Sequence, residues 1–255
     1  MTDNSSRLRL FSDVRMNKLP LVELLDHAGL NRQHVFDLAD LPADLLAPLA
    51  LEKHERQLIL FGHVGRRLWD CVQSEGLDTA NPIDEYSVRT IQRWLQQAAP
   101  EAHTRFVFPI GLPQGKHVGL QRLGILAGWH HPSPFFVGVD AQFGSWFAYR
   151  AALLADTSFA TSDVEDHGDP CAVCEDKPCI RACPGDALVS GTMDMQACHR
   201  QRLRADSPCA LGCIARRACP VGVEHRYEDS QIRHSAQGSL NTIRRLFGQD
   251  RSESA

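Results

Sequence analysis

The 255-residue chain has no apolar run approaching about 18 residues, so nothing in it reads as a membrane span. It also lacks an excess of positive charge: 27 Lys and Arg stand against 31 Asp and Glu, a formal net of −4. Affinity for nucleic acid or an anionic bilayer grows with clustered positive charge, so neither is an expected partner. Residues 1–10 are polar with alternating arginines, without the apolar stretch and small-residue cleavage site of an export signal. A cytoplasmic location is the expectation. At 43% hydrophobic and 23% charged residues, the composition is neither disordered nor fibrous, and the length suits one to two domains.

What the chain does have is sulfur in one place. Eight of the nine cysteines fall within residues 171–219, in the order Cys171-x2-Cys174-x4-Cys179-x3-Cys183-Pro184 and Cys198-x10-Cys209-x3-Cys213-x5-Cys219-Pro220. Three chemistries use cysteines at such density. Disulfides belong to small exported scaffolds and are disfavoured without an export signal. Two tetrahedral zinc sites ask for paired C-x2-C knuckles, and the window holds one. A 4Fe-4S cubane needs four thiolates from different directions, which a tight loop of three and a distant fourth supply.

The first run, CAVCEDKPCIRACPGDAL, resembles the C-x2-C-x4-C-x3-C-P loop of ferredoxin-like electron-transfer subunits. In two-cluster ferredoxins the cysteine before proline ligates the other cluster. That rule assigns Cys171, Cys174, Cys179 and Cys219 to one 4Fe-4S cluster, and Cys183, Cys198, Cys209 and Cys213 to the second. The second run departs from C-x2-C-x2-C-x3-C-P, so its ligands are less firmly placed than those of the first. Cys71, in RRLWDCVQ, reads as a small buried hydrophobe.

Upstream, residues 20–50 suggest short Leu-rich helices around a strand-like HVFDLA. QLILF, residues 57–61, reads as a buried strand ending at Gly62, and RRLWDCVQ as a helix. The intervening Gly62–Gly65 turn is either a phosphate cradle or a plain tight turn. IDEYSVRTIQRWLQQ places Ile83, Val88, Ile91 and Leu95 near one helical face, with Trp94 as core. RFVFPIG is a further strand; FFVGV and SWFAYRAALL read as two strands joined at residues 140–144. This mixture of strands and helices predicts an α+β or α/β layer. TSDVEDHGDP is an acidic linker, and the arginines at 200, 202, 204, 216 and 217 read as a solvated face or a guide for an acidic redox partner. A short helix over LNTIRRLF and a disordered end close the chain. The implied boundaries are 1–160, 161–228 and 229–255.

The segment HHPSPFFVGVDAQFGSWFAYRAALLAD followed by the cysteine module resembles two related groups, the epoxyqueuosine reductases and the CblC-type cobalamin-processing proteins. The likeness extends upstream through RQLILFGHVGRRLW and NPIDEYSVRTIQRWL. It implies a nitroreductase-like, CblC-like α/β sandwich domain with a bacterial-ferredoxin-like two-cluster module. It also implies a corrinoid (cobalamin) over the sheet, near Phe143, Gly144, Ser145, Trp146 and His131, with FMN as the alternative cofactor. A redox partner protein or reductase supplies electrons, and a corrinoid or small molecule receives them. The epoxyqueuosine reductases use an aspartate as general acid before the GSWF-type strand. Here no Asp or Glu occurs between Glu101 and Asp140, which disfavours queuosine chemistry. His117, His130 and His131 are the imidazoles available for proton transfer or for approach to cobalt. A ferredoxin-type carrier without corrinoid remains the alternative function.

Overall fold

The computed structural model describes residues 19–247; the polar amino end and the last residues of the tail, 248–255, lie outside it. The chain opens with α1 (Val22–His27), β1 (Arg32–Asp37), α2 (Ala43–Leu46) and β2 (Gln57–Val64). Two helices follow, α3 (Arg67–Glu75) and α4 (Pro82–Ala98), then β3 (Thr104–Phe108), α5 (Leu120–Leu126) and β4 (Phe147–Ala155). The four strands form one antiparallel sheet in the order β1-β2-β4-β3. This is a mixed α/β architecture with a small sheet covered on both faces.

The pleat explains why β2 reads as a continuous apolar run. Successive side chains point to opposite faces, so a strand covered on both sides is apolar throughout. Ile59 and Phe61 enter a core with Leu68, Ile91 and Trp94 from α3 and α4. Leu58 and Leu60 enter a second core with Leu45, Leu49 and Leu123 on the far side. The strand does not stop at Gly62. It bulges there, shifting its register against β4, and continues to Val64. A Cβ at Gly62 would lie 3.1 Å from the Trp129 ring and from the Ala148 carbonyl, so glycine suits the bulge. The turn into α3 sits at Gly65 instead, whose N–H donates to the Trp146 carbonyl at 2.9 Å. That amide is committed to the protein, and the phosphate-cradle reading of residues 62–65 is set aside.

The expected strand FFVGV is also replaced. Only Val139 pairs there, through a bridge to His131, while Asp140 and Gly144 close a small loop by exchanging backbone hydrogen bonds. Phe136 takes φ 70°, a left-handed conformation incompatible with a regular strand. The apolar side chains of this loop serve packing: Phe135 and Val139 lie against Cys179, Leu188, Ala215 and Cys219 of the cysteine-bearing segment.

That segment is mostly loop, with short helices α6 (Pro178–Arg181), α7 (Met195–Arg202) and α8 (Ile214–Ala218). The final helix, α9, spans Asp229–Phe247, much more than the short LNTIRRLF helix expected. Gly238 in its middle weakens the local helical signal. Packing supplies what propensity does not: Ile232, Leu240 and Ile243 are buried, and Arg202 donates to Ser239 and to the Ala236 carbonyl. Among the described residues no helix is long and apolar enough to cross a membrane.

Candidate functional site

The cysteines divide by space and not by run. Burial, and then Asp169 and the thiols of Cys219, Cys179 and Cys174, push the Cys171 thiol up to about 11. Burial, then Cys213, with Cys183 and Cys209 adding, pushes Cys198 up to about 11. Burial likewise raises Cys179 and Cys219, and Cys209. The thiols that act on these five therefore fall in the set Cys171, Cys174, Cys179, Cys219 or in the set Cys183, Cys198, Cys209, Cys213. A small cavity beside Phe135 is lined by the first set, and a larger one of about 580 Å³ by the second.

Local chemistry explains how the chain delivers these groups. Asp169 accepts the Cys171 N–H at 2.8 Å, an Asx turn that shapes the first loop. Asp194 caps α7 through Ala197 N–H at 3.0 Å and so orients Cys198. Helices α6 and α8 each fill the gap before a Cys-Pro pair and pack on one another. That contact carries Cys183 and Cys219 each into the other run's neighbourhood. Among the described residues no three His, Cys, Asp or Glu side chains stand close enough to share one metal ion.

The residues expected beside a corrinoid occupy the joint between the sheet and the cysteine segment. Gly144 has φ 60°, and a Cβ there would lie 2.1 Å from the Val221 carbonyl oxygen. Gly222 is its counterpart, with a Cβ falling 2.3 Å from the Phe143 carbonyl carbon. The close approach that Gly144 permits in this structure is to protein backbone. Ser145 and Trp146 are fully buried. Arg216 donates from Nε to Ser145 Oγ at 3.1 Å and from Nη2 to its carbonyl, and stacks 4.5 Å over the Trp146 ring. Phe143 lies under Arg32, which pairs with Asp140 at 2.5 Å.

The three histidines separate. His131 Nε2 stands 3.1 Å from Asp166. His130 is buried with Nδ1 3.1 Å from Tyr149 Oη, and His117 is exposed. Nor are the arginines one solvated face: Arg216 and Arg202 are staples, Arg217 pairs with Asp229 at 2.6 Å, and Arg200 and Arg204 are exposed. Sequence reading passed over His63, Arg150, Tyr227 and Gln231, which meet behind Trp146. Nothing marks them but single polar letters in apolar surroundings, as in FGHVG and AYRAALL.

One buried histidine gives a pH prediction. Burial, then the Arg32 charge, lowers His34 to about 4, its ring lying 4.3 Å from Phe36. The folded state disfavours the proton, so this contribution is complete above the unfolded pKa near 6.5 and is lost as pH falls toward 4. Unfolding free energies from urea titrations are expected to drop over that window by up to about 3 kcal/mol from this group. His34→Gln is expected to flatten the slope relative to wild type; an unchanged slope contradicts the assignment.

No protein-family model matches the chain, and no curated protein does. Solved structures do resemble it. Epoxyqueuosine reductase from Bacillus subtilis superposes with a TM-score of 0.50 at 16% identity, over 81% of this chain and 66% of that one. An epoxyqueuosine reductase bound to an epoxyqueuosine-modified tRNA-Tyr stem loop gives 0.48 at 14% identity, covering 83% and 68%. The C. elegans B12-trafficking protein CblC gives 0.49 at 12%, covering 88% and 92%. The fold is that of epoxyqueuosine reductase, and the chain spans just under two thirds of the Bacillus enzyme's length.

Proposed function

We propose that the chain is an iron-sulfur redox protein in which each set of four cysteines holds a 4Fe-4S cluster, moving electrons singly to an acceptor bound at the joint. The observation carrying this reading is the division of eight thiols into two groups of four, each facing its own cavity. Bound clusters would supply one-electron transfer at potentials set by burial and hydrogen bonds to sulfur. Arg216 N–H already donates to Cys213 Sγ at 3.4 Å.

The acceptor proposed is a corrinoid, with FMN as the alternative. Phe135, Phe136 and Trp146 give the larger cavity an aromatic wall that suits the edge of a flat macrocycle, with Arg202 and Arg216 as polar partners. When bound, a corrinoid would supply reductive chemistry at cobalt. What the chain contributes is the aromatic wall, the two arginines and the second cysteine set alongside. The absence of Asp and Glu across residues 102–139 argues against the epoxyqueuosine reaction here.

Anaerobic reconstitution is expected to load about eight iron and eight sulfide per chain. Titration of that protein with cob(II)alamin is expected to saturate with a changed cobalt EPR signal. Zinc without sulfide would overturn the cluster assignment. Clusters with no cobalamin binding at micromolar protein would overturn the corrinoid and leave an electron carrier, with FMN as the next ligand tried.

A further inference from the structure

The loop that carries Cys209 and Cys213 has two sides. Its inner side lines the 580 Å³ cavity through Cys209, Gly212 and Cys213. Its outer side lines a separate groove of about 370 Å³, formed by Pro208, Ala210, Leu211 and Ile214 with Arg217 and Arg233. Gly212 lines both spaces, and at a glycine no side chain thickens the wall between them. Cys213, the next residue, is the one exposed thiol of the eight. A molecule seated in the outer groove is therefore one residue away from the second cysteine set. Electron exchange between proteins falls steeply with separation, so a carrier docks where a redox group is least covered.

Charge marks the same side. Residues 195–247 hold nine arginines and four carboxylates, whereas residues 161–194 hold two basic residues and eight carboxylates. Some of those arginines are committed inside: Arg202 donates to Ala210 and Ala236 carbonyls, Arg216 to Ser145, and Arg217 pairs with Asp229 at 2.6 Å. Others face water. Arg204 adjoins the groove, its carbonyl accepting at 3.2 Å the N–H of Ser207, which is a lining residue. Arg233 lines the groove from α9, and Arg244 lies about three turns further on the same helical face. Arg200 is one turn before Arg204. All four are exposed, and among the described residues none has a carboxylate partner. Asp206 is the exposed carboxylate in their midst. An apolar lining flanked by arginines has the composition of a protein contact surface.

We propose that the groove is the docking site of an acidic one-electron carrier protein, which delivers electrons to the second cysteine set through Gly212 and Cys213. This rests on the electron-transfer reading and adds to it the face by which electrons enter and the charge of their donor. Attraction between opposite charges speeds the encounter, and a small contact lets the spent carrier leave. One electron leaves the carrier and arrives at the group held by the set; no bond forms or breaks and no proton moves. Nucleic acid suits the groove less well, because its lining has no aromatic ring on which a base could stack.

The test is calorimetric titration of the full chain, reconstituted anaerobically, with an acidic plant-type 2Fe-2S ferredoxin, with iron and sulfide measured on the same sample. Binding is expected to weaken about tenfold or more between about 0.05 and 0.5 M salt. Arg204→Glu and Arg233→Glu are each expected to weaken it about tenfold at the lower salt while keeping wild-type iron content. Either variant stands in if the other does not fold. Lys53→Glu makes the same change in charge before the far end of β2 and is expected to bind as wild type does. Reduction by the reduced ferredoxin should slow in the two arginine variants, whereas methyl viologen should reduce all chains alike. Equal ferredoxin binding in wild type and both arginine variants overturns the proposal, as does no reduction by ferredoxin where methyl viologen succeeds. An RNA hairpin that binds more tightly than ferredoxin, and weakens in the same variants, also overturns it and gives the face to nucleic acid. Iron-loaded chains that fail to bind ferredoxin sink the docking site and leave the cluster reading standing. Iron-free chains that bind it through Arg204 and Arg233 sink the cluster reading and leave the docking site.

Discussion

Replacing Cys219 with serine is expected to lower iron from about eight to about four per chain and to leave the same EPR spectrum as Cys171→Ser. Cys183→Ser is expected to match Cys198→Ser instead. Grouping by run alone, without the crossing rule for two-cluster ferredoxins, would give the opposite result, because Cys219 closes the run that begins at Cys198. Space puts it elsewhere: Cys219 shares a cavity with Cys171, Cys174 and Cys179, while Cys183 shares one with Cys198, Cys209 and Cys213. The packing of α6 on α8 is what crosses them. Four single variants, their iron content and the spectrum each retains decide between the two groupings. If Cys219→Ser removes the same signal as Cys209→Ser, the crossed assignment is wrong.

The second large effect is at the joint. Gly144→Ala is expected to destabilise the protein by about 3 kcal/mol or more, and Gly222→Ala by as much. Both glycines are left-handed, which alone costs an L residue about 1–2 kcal/mol. In addition each Cβ would meet rigid backbone of the other segment, at 2.1 Å for Gly144 and 2.3 Å for Gly222. Gly191 separates the two terms: it has φ 80° with nothing within 4 Å of a Cβ, so Gly191→Ala is expected to carry the conformational cost only. Urea unfolding of the iron-loaded chains measures all three. Hydrogen exchange should further show faster opening of residues 143–146 and 220–227 in the joint variants. A Gly144→Ala protein as stable as Gly191→Ala would mean that the two segments are not held together in solution.

The legible parts of the fold were those written in local periodicity. Pro82 starts α4, and Ile83, Ile91 and Leu95 recur at helical spacing, so the helix and its buried face follow from neighbours in the chain. QLILF is apolar at every position because both faces of β2 are covered. FFVGV misled for the same reason. Its apolar letters suit a strand, but they pack as a loop on the cysteine segment, and Phe136 is left-handed. The arginines misled too: charge in a polar stretch looks solvated, yet Arg216 is stacked on Trp146.

By itself the sequence determined that eight thiols lie in two Cys-Pro runs, that a sheet with helices precedes them, and that glycine and aromatics meet at residues 143–147. These are properties of spacing along one chain. Only the tertiary structure decided that Gly144 closes on the Val221–Gly222 backbone, and that His63, Arg150, Tyr227 and Gln231 gather as buried polar groups behind Trp146. Each of those depends on the approach of segments distant in sequence. A buried polar group, or a backbone pressed on a glycine, comes into being only when that approach removes water and space.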